Sequence, residues 1–332
     1  MAKISINKIA ELAGVSKTTV SFVLNGRGDE KNISLKTQEK IIGIAKSHNY
    51  QANYVARSLS MGKSYTIGFV VPDISNPFYG KIARYIEQYA EEKGYSVMVA
   101  STGEDIKKER KILNELKARQ IDGVILASAS PNASEIKQTS SGNLPTVYFD
   151  RVFLEQQNLY VDINNSESSS QLTQLLINKG HKRIGLISLS SYLPNIKQRI
   201  SGYKNTLENE GIELDSELIV DIDLSHKKES IKQALEHLLQ MENPATAILF
   251  LNNVLAANGI WAINNYYPEQ TDKLLFASFD NLDLFDYSKP KVVSALQPNN
   301  EIAKHCINML CKQIDDSEES EGIQLKTTII NR

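Results

Sequence analysis

The sequence predicts a small all-α head followed by a larger α/β body whose parallel sheets form two lobes. Three observations predict it. The first 63 residues combine helical apolar spacing with concentrated positive charge, and from Tyr65 onward short apolar runs alternate with amphipathic stretches. The 332 residues also exceed what one compact core organises. With 41% hydrophobic and 23% charged residues, the chain has the apolar material for real cores.

In the head, Ser5 is placed to cap a first helix through Ile6, Ile9, Ala10, Leu12 and Ala13. Gly14 supplies the permissive backbone of a sharp turn. Ser16 caps a second helix, KTTVSFVLN, which Asn25-Gly26 stops. Val20, Val23 and Leu24 share an inward face, so Lys17, Thr18, Ser21 and Phe22 lie outward. Ser34 opens a third helix in which Ile41, Ile42 and Ala45 close a small core. Two short helices joined by a glycine-started turn form a helix-turn-helix, which lays its second helix in a DNA major groove. The charge agrees: residues 1–63 hold ten Lys and Arg against four acids, a net +6, while the rest of the chain carries −8. A basic head on an acidic body is the footprint of a phosphate-backbone binder.

Several classes are excluded. No apolar run approaches the roughly 18 residues of a membrane span. The start, MAKISINKIAEL, lacks the apolar stretch of a secretory signal, so a cytoplasmic location is expected. Cys306 and Cys311 lie five apart on a helical segment and point in different directions, as free thiols. None of the five histidines stands at metal spacing, and no metal or cofactor is expected. GxSxG, HExxH and GxGxxG are absent, and Gly62-Lys63-Ser64 fails as a phosphate loop because Arg57 stands where its first glycine belongs. The chain is therefore read as a binding protein and not an enzyme.

In the body, YTIGFVV, YSVMVAS, DGVILAS, TVYFD, RIGLISL, AILFL, LLFASF and VVSAL are strand candidates. Continuous apolar runs between amphipathic helices indicate parallel sheets covered on both faces. Open α/β sheets bind ligands at the carboxyl ends of their strands. At such ends stand Asp73, followed by Phe78 and Tyr79 as possible platforms for a ring; Asp150 and Arg151; Asn252 and Asn253; and Asp280. Carboxylates, amides and arginines above aromatic rings suit a polyhydroxylated ligand, whose hydroxyls both donate and accept.

The wording of the sequence adds a resemblance. ISINKIAELAGVSKTTVSFVLNG and SLKTQEKIIGIAKSHNYQANYVARSLSMGKSYTIGFVVPD, with NPFYGKIA, NKGHKRIGLIS, QRISGYKNTLENEGI and SFDNLDLF, resemble the lactose-repressor (LacI/GalR) family over nearly the whole chain. The loop NGRGDEKNISLKT has the longer form associated with the fructose-repressor branch. The resemblance implies a transcriptional regulator, of repressor type, acting on carbohydrate genes. It implies a helix-turn-helix domain over 1–50, a hinge over 51–63, and a periplasmic-binding-protein-like body of two Rossmann-like lobes over 64–332. Lobe 1 would comprise about 64–162 and 297–321, and lobe 2 about 163–296 and 322–332, with crossings near Asp162-Ile163-Asn164, Gln297 and Glu321-Gly322.

Carried residue by residue, the resemblance gives Ser16, Lys17, Thr18, Ser21, Phe22 and Asn25 to DNA, with Lys17, Thr18 and Phe22 reading bases. Phe22 stands where many relatives have arginine, so thymine methyls suit it better than guanine. Leu59 falls at the position of a minor-groove wedge, Ala56 shares its face, and Ala52 replaces the usual hinge proline. Arg199 matches an effector-clamping arginine. Together with Arg151 it would suit a phosphate, as the phosphorylated sugars of the fructose-repressor branch require. The expected partners are operator DNA, a sugar or sugar-phosphate effector, and a second copy of the chain in a homodimer. A free-standing sugar-binding protein, a nucleobase or other non-sugar effector, and an activator remain alternatives.

Overall fold

The computed structural model describes residues 4–48, 50, 62–132, 144–153, 159–189, 192–222, 226–316 and 321–332. Ala56 and Leu59, and the hinge reading built on them, lie outside the described residues. The chain divides into two compact units, Met1–Ser64 and Tyr65–Arg332.

The first unit holds α1 (Ile6–Ala13), α2 (Lys17–Leu24) and α3 (Leu35–Ser47). Each begins at a serine whose hydroxyl accepts a first-turn amide: Ser5 from Lys8, Ser16 from Thr19, and Ser34 from Thr37. Such caps satisfy amides that the helix leaves orphaned and contribute about 1 kcal/mol each. Gly14 ends α1 at φ 70°, a conformation that a side chain would strain. Directly before Gly14, the Ala13 carbonyl accepts from Lys40 at 2.9 Å, which pins α3 to the end of α1. Ile9, Ala10, Ala13, Val20, Val23, Ile41 and Ala45 form the core, with Leu24 and Ile44 packed against it. One expectation fails here. Ile42 is exposed, at 38%, because it lies about 100° around its helix from inward Ile41. Ile44, four before His48, takes the inward place instead of Ile42.

The second unit contains two six-stranded sheets. The first is built from β1 (Thr66–Val71), β2 (Ser96–Ser101), β3 (Gly123–Leu126), β4 (Thr146–Phe149), β5 (Tyr160–Ile163) and β11 (Ile323–Leu325), in the order β11-β5-β4-β3-β1-β2. The second is built from β6 (Ile184–Leu189), β7 (Ile219–Ile222), β8 (Ala247–Phe250), β9 (Leu275–Phe279), β10 (Val292–Leu296) and β12 (Thr328–Ile330), in the order β12-β10-β9-β8-β6-β7. All described pairings are parallel except β10 with β12. The two orders correspond strand for strand: β1 to β6, β4 to β9 and β5 to β10. Each lobe is thus a doubly wound sheet with a switch point beside its first strand.

Helices α4 (Pro77–Glu92), α5 (Ile106–Ala118) and α10 (Asn299–Ile314) serve the first lobe. Helices α6 (Asn165–Asn178), α7 (Pro194–Asn209), α8 (Lys227–Gln240) and α9 (Asn253–Tyr266) serve the second. Gly202 lets α7 approach α6 closely: a Cβ there would sit 2.2 Å from the Ser166 carbonyl oxygen. The sheets' inner residues, among them Phe69, Phe149, Phe250, Phe276 and Phe279, are fully buried, each contributing about 1.5–3 kcal/mol of apolar burial.

The chain passes between lobes three times. It leaves the first sheet after β5 at Asn164 and returns after β10 at Gln297. The third passage differs from expectation: β11 still pairs with β5, so it falls at Lys326-Thr327 and not at Glu321-Gly322. Lobe 1 therefore runs on to Leu325. The strand is only three residues long and followed by a charged residue, which gave no apolar run to recognise.

Candidate functional site

The carboxyl ends of β1, β4, β6, β8 and β9 face one cleft between the lobes, and all seven residues expected at a ligand site line it. These are Asp73, Phe78, Tyr79, Arg151, Arg199, Asn252 and Asp280. Asn76, Glu104, Asn195 and Lys227, which the sequence reading did not single out, line it too, as does Asp150.

Local folding fixes each group. Asp73 follows β1, and its carboxylate accepts the Ser75 amide at 2.9 Å; this hydrogen bonding holds its pKa below the usual value. Asn76 caps α4 by accepting the Phe78 amide. Phe78 and Tyr79 are only 6% and 4% exposed, with their ring centroids 5.0 Å apart. Neither offers an open face, so the expectation of ring platforms is corrected to one of a packed cleft wall. Asn252 caps α9, its Oδ1 accepting the Leu255 amide at 2.8 Å.

Asp150 and Asp280 follow β4 and β9 directly, and both adopt positive φ, 62° and 69°. Asp150 accepts from the Tyr79 hydroxyl at 2.7 Å and from Asn195 Nδ2 at 2.9 Å, with Arg199 3.8 Å away. Asp280 accepts from Gln297 Nε2. Burial pushes the Asp280 carboxyl upward, against the pull of Arg199 and Gln297.

The two arginines are engaged. Arg199 donates from Nε to Asn165 Oδ1 and from Nη1 to the Leu251 carbonyl, both at 2.8 Å, and lies 3.6 Å above the Phe279 ring. Arg151 is chelated by Glu104, Nη1 at 2.5 Å and Nη2 at 2.7 Å. Burial alone would favour the neutral Arg151 side chain, but Tyr79, Glu104 and Asp150 outweigh it and raise its pKa. Behind it, buried Glu109 accepts from Ser128 Oγ and the Ala129 amide and so fixes the segment after β3. Desolvation pushes the Glu109 carboxyl up. Nothing in the charged stretch IKKERKILNELKA separates Glu109 from its solvated neighbours.

On the head, Ser16, Lys17 and Thr18 are exposed, and Ser21 and Asn25 are half-buried, with Asn25 donating to Ser21 Oγ. Phe22 is half-buried rather than fully outward. Arg27 and Lys31 from the following loop approach its ring to 5.7 and 5.5 Å. The loop itself is tied down by Gln38, which donates to Asp29 and to the Ile33 carbonyl.

Residues 64–270 match the family model for periplasmic binding proteins and the sugar binding domain of the LacI family, and residues 5–53 match that for bacterial regulatory proteins of the lacI family. The chain belongs to the LacI family. This LacI-family chain is 32% identical over 305 residues to the HTH-type transcriptional regulator DegA of Bacillus subtilis, covering 90% of this chain and 88% of that relative. It is 29% identical over 322 residues to the sucrose operon repressor of Klebsiella pneumoniae, covering 97% and 95%. The structure of the lac repressor dimer bound to operator and the anti-inducer ONPF shares its fold, with a TM-score of 0.85 at 20% identity over 100% of this chain and 98% of that one. The chain is accordingly a DNA-binding transcriptional regulator of the LacI family. No helix among the described residues is long and apolar enough to cross a membrane.

Proposed function

We propose that the chain is a cytoplasmic repressor of carbohydrate-metabolism genes, binding operator DNA as a homodimer and answering to a polyhydroxylated effector in the interlobe cleft. One observation carries this reading: the polar strand-end residues converge between two lobes of the same chain that bears the capped helix-turn-helix. Lys17 and Thr18 at the exposed start of α2 meet base edges, and Phe22 meets thymine methyls. Arg27 and Lys31, held against Phe22, add charge beside the same groove. Leu59 wedges into the minor groove, so DNA affinity depends on how two hinges are held. Effector acts only by binding the DNA-competent and incompetent arrangements unequally. A nucleobase effector would call for an open ring face, which Phe78 and Tyr79 do not offer.

The test is operator selection from a random DNA pool with the full chain, followed by titration of the selected duplex at several salt concentrations, with and without a sugar panel. A palindromic consensus, steep salt dependence and a sugar-dependent change in affinity are expected. Leu59→Ala should weaken the selected duplex far more than random DNA. Equal losses on both would remove the wedge, and salt-independent binding would remove the basic head as the DNA contact.

A further inference from the structure

The charges that line the cleft bear on whether it suits a phosphorylated ligand. Four carboxylates line it, Asp73, Glu104, Asp150 and Asp280, against Arg151, Arg199 and Lys227, a formal −1. More decisive is how the cations are used. The Arg151 side chain, 7% exposed, presents both terminal nitrogens to Glu104. All three nitrogens of Arg199 face a protein partner, one face of its guanidinium lies on Phe279, and its side chain is 3% exposed. Only Lys227, exposed on the second lobe, stands outside these pairings, and it lies close enough to Asp73 to favour that carboxylate's ionised form.

An anion entering such a cleft would lose its hydration and find both guanidiniums neutralised by acids, with carboxylate oxygens nearest. Desolvation of a charge without a compensating partner is strongly unfavourable. A hydroxyl faces the opposite situation. Ionised carboxylates are acceptors only, and each can take more than one donor. Beside them Asn253, buried and outside the cleft lining, donates from Nδ2 to Asn76 across the lobes. The cleft is thus rich in carboxylates that can take further donors.

We propose that the cleft takes an uncharged polyhydroxylated effector and rejects its phosphorylated form, with Glu104 as the specificity-determining residue. This rests on the effector reading above and narrows it. Glu104 holds φ 63° at the turn before α5, which places its carboxylate over Arg151. It acts by occupying the guanidinium that a phosphate would need. This revises the sequence-based expectation that Arg151 and Arg199 together suit a phosphate.

The experiment uses the full chain and paired probes: fructose and fructose 1-phosphate, glucose and glucose 6-phosphate, ribose and ribose 5-phosphate, and sucrose and sucrose 6-phosphate. Melting shifts identify binders and calorimetry gives their affinities. For at least one pair the neutral sugar should bind at least about tenfold more tightly than its phosphate ester, the scale expected of one uncompensated like charge. Glu104→Gln should move that ratio toward the ester by at least a further tenfold, because the glutamine leaves Arg151 its charge. Wild-type protein should show no melting rise with inorganic phosphate, a measurement that stands even if the variant does not fold. Tighter binding of an ester by the wild type, or an unchanged ratio in Glu104→Gln, overturns the charge assignment while leaving the effector reading intact. Binding of neither member of any pair overturns both.

Discussion

Asp150 and Asp280 occupy the same place in two copies of one pattern, yet their carboxylates do different work. Each directly follows the fourth strand of its doubly wound sheet, β4 or β9, with the backbone in the left-handed region. Asp150 reaches across the cleft: its partners are Tyr79 of its own lobe and Asn195 and Arg199 of the other. Asp280 stays within its own side, held by Gln297 at the second crossing and close to Arg199. A repeated fold therefore repeats the backbone position but not the side-chain bonding. The difference makes Asp150 a tie between lobes and Asp280 an internal support for the arginine both share.

The largest effect expected from breaking this arrangement comes from that arginine. Arg199→Ala removes the donor to Asn165 and to the Leu251 carbonyl and the positive charge that offsets buried Asp150 and Asp280. Urea unfolding should show a loss of about 3–5 kcal/mol. Arg199→Lys should recover only part of it, since an ammonium cannot reproduce the fork or the stacking on Phe279.

Next comes the comparison itself. Asp150→Ala removes a charge-assisted link between lobes and should cost about 2 kcal/mol. Small-angle scattering of the ligand-free protein should also show a larger radius of gyration. Asp280→Ala should leave the scattering curve unchanged, because the links of Asp150 to Asn195 and Arg199 across the cleft are untouched. Equal expansion in both variants would show that the two aspartates are not divided in this way.

A smaller effect separates the lobes by pH. Asp162, on β5 beside the first crossing, is buried, and desolvation is the main reason its carboxyl is pushed up to about 7 from the ordinary 3.8. The folded state then prefers the protonated acid. The stability linked to Asp162 is full below pH 3.8 and is lost as pH rises through about 7. Asp162→Asn, which can keep an oxygen facing the Asn165 amide, should raise stability at pH 8 by on the order of 1 kcal/mol and change it little at pH 4. Thermal melts of both proteins across this range would show it. A wild-type profile that stays parallel to the variant's would rule it out.

The smallest effect belongs to the exposed tie. Lys81 and Asp283 meet at 3.0 Å, but their side chains are 42% and 82% exposed. Asp283→Ala should shift stability by no more than about 0.5 kcal/mol, vanishing in high salt. A larger change would mean that the rim, and not the buried Asp150 cluster, holds the lobes together.

What could be read in the chain follows from distance along it. The serine caps of α1, α2 and α3, the glycine turn at Gly14 and the apolar strands depend on neighbours within a few residues, so the sequence by itself determined them. Open α/β sheets bind at the carboxyl ends of their strands, and that rule brought six cleft residues into view, while Arg199, within α7, came from the family resemblance. Ile42 was misplaced because apolar character was read without the helix angle, and the third crossing because a three-residue strand carries no period. Phe22 read as outward because its covering partners, Arg27 and Lys31, belong to a loop whose path Gln38 sets from α3. Only the tertiary structure decided the bonding of the cleft. Glu104 lies 47 residues from the arginine it neutralises, and Asp150 lies 45 from Asn195. No local preference encodes such pairs, because each exists only where two separately folded strand ends are brought face to face.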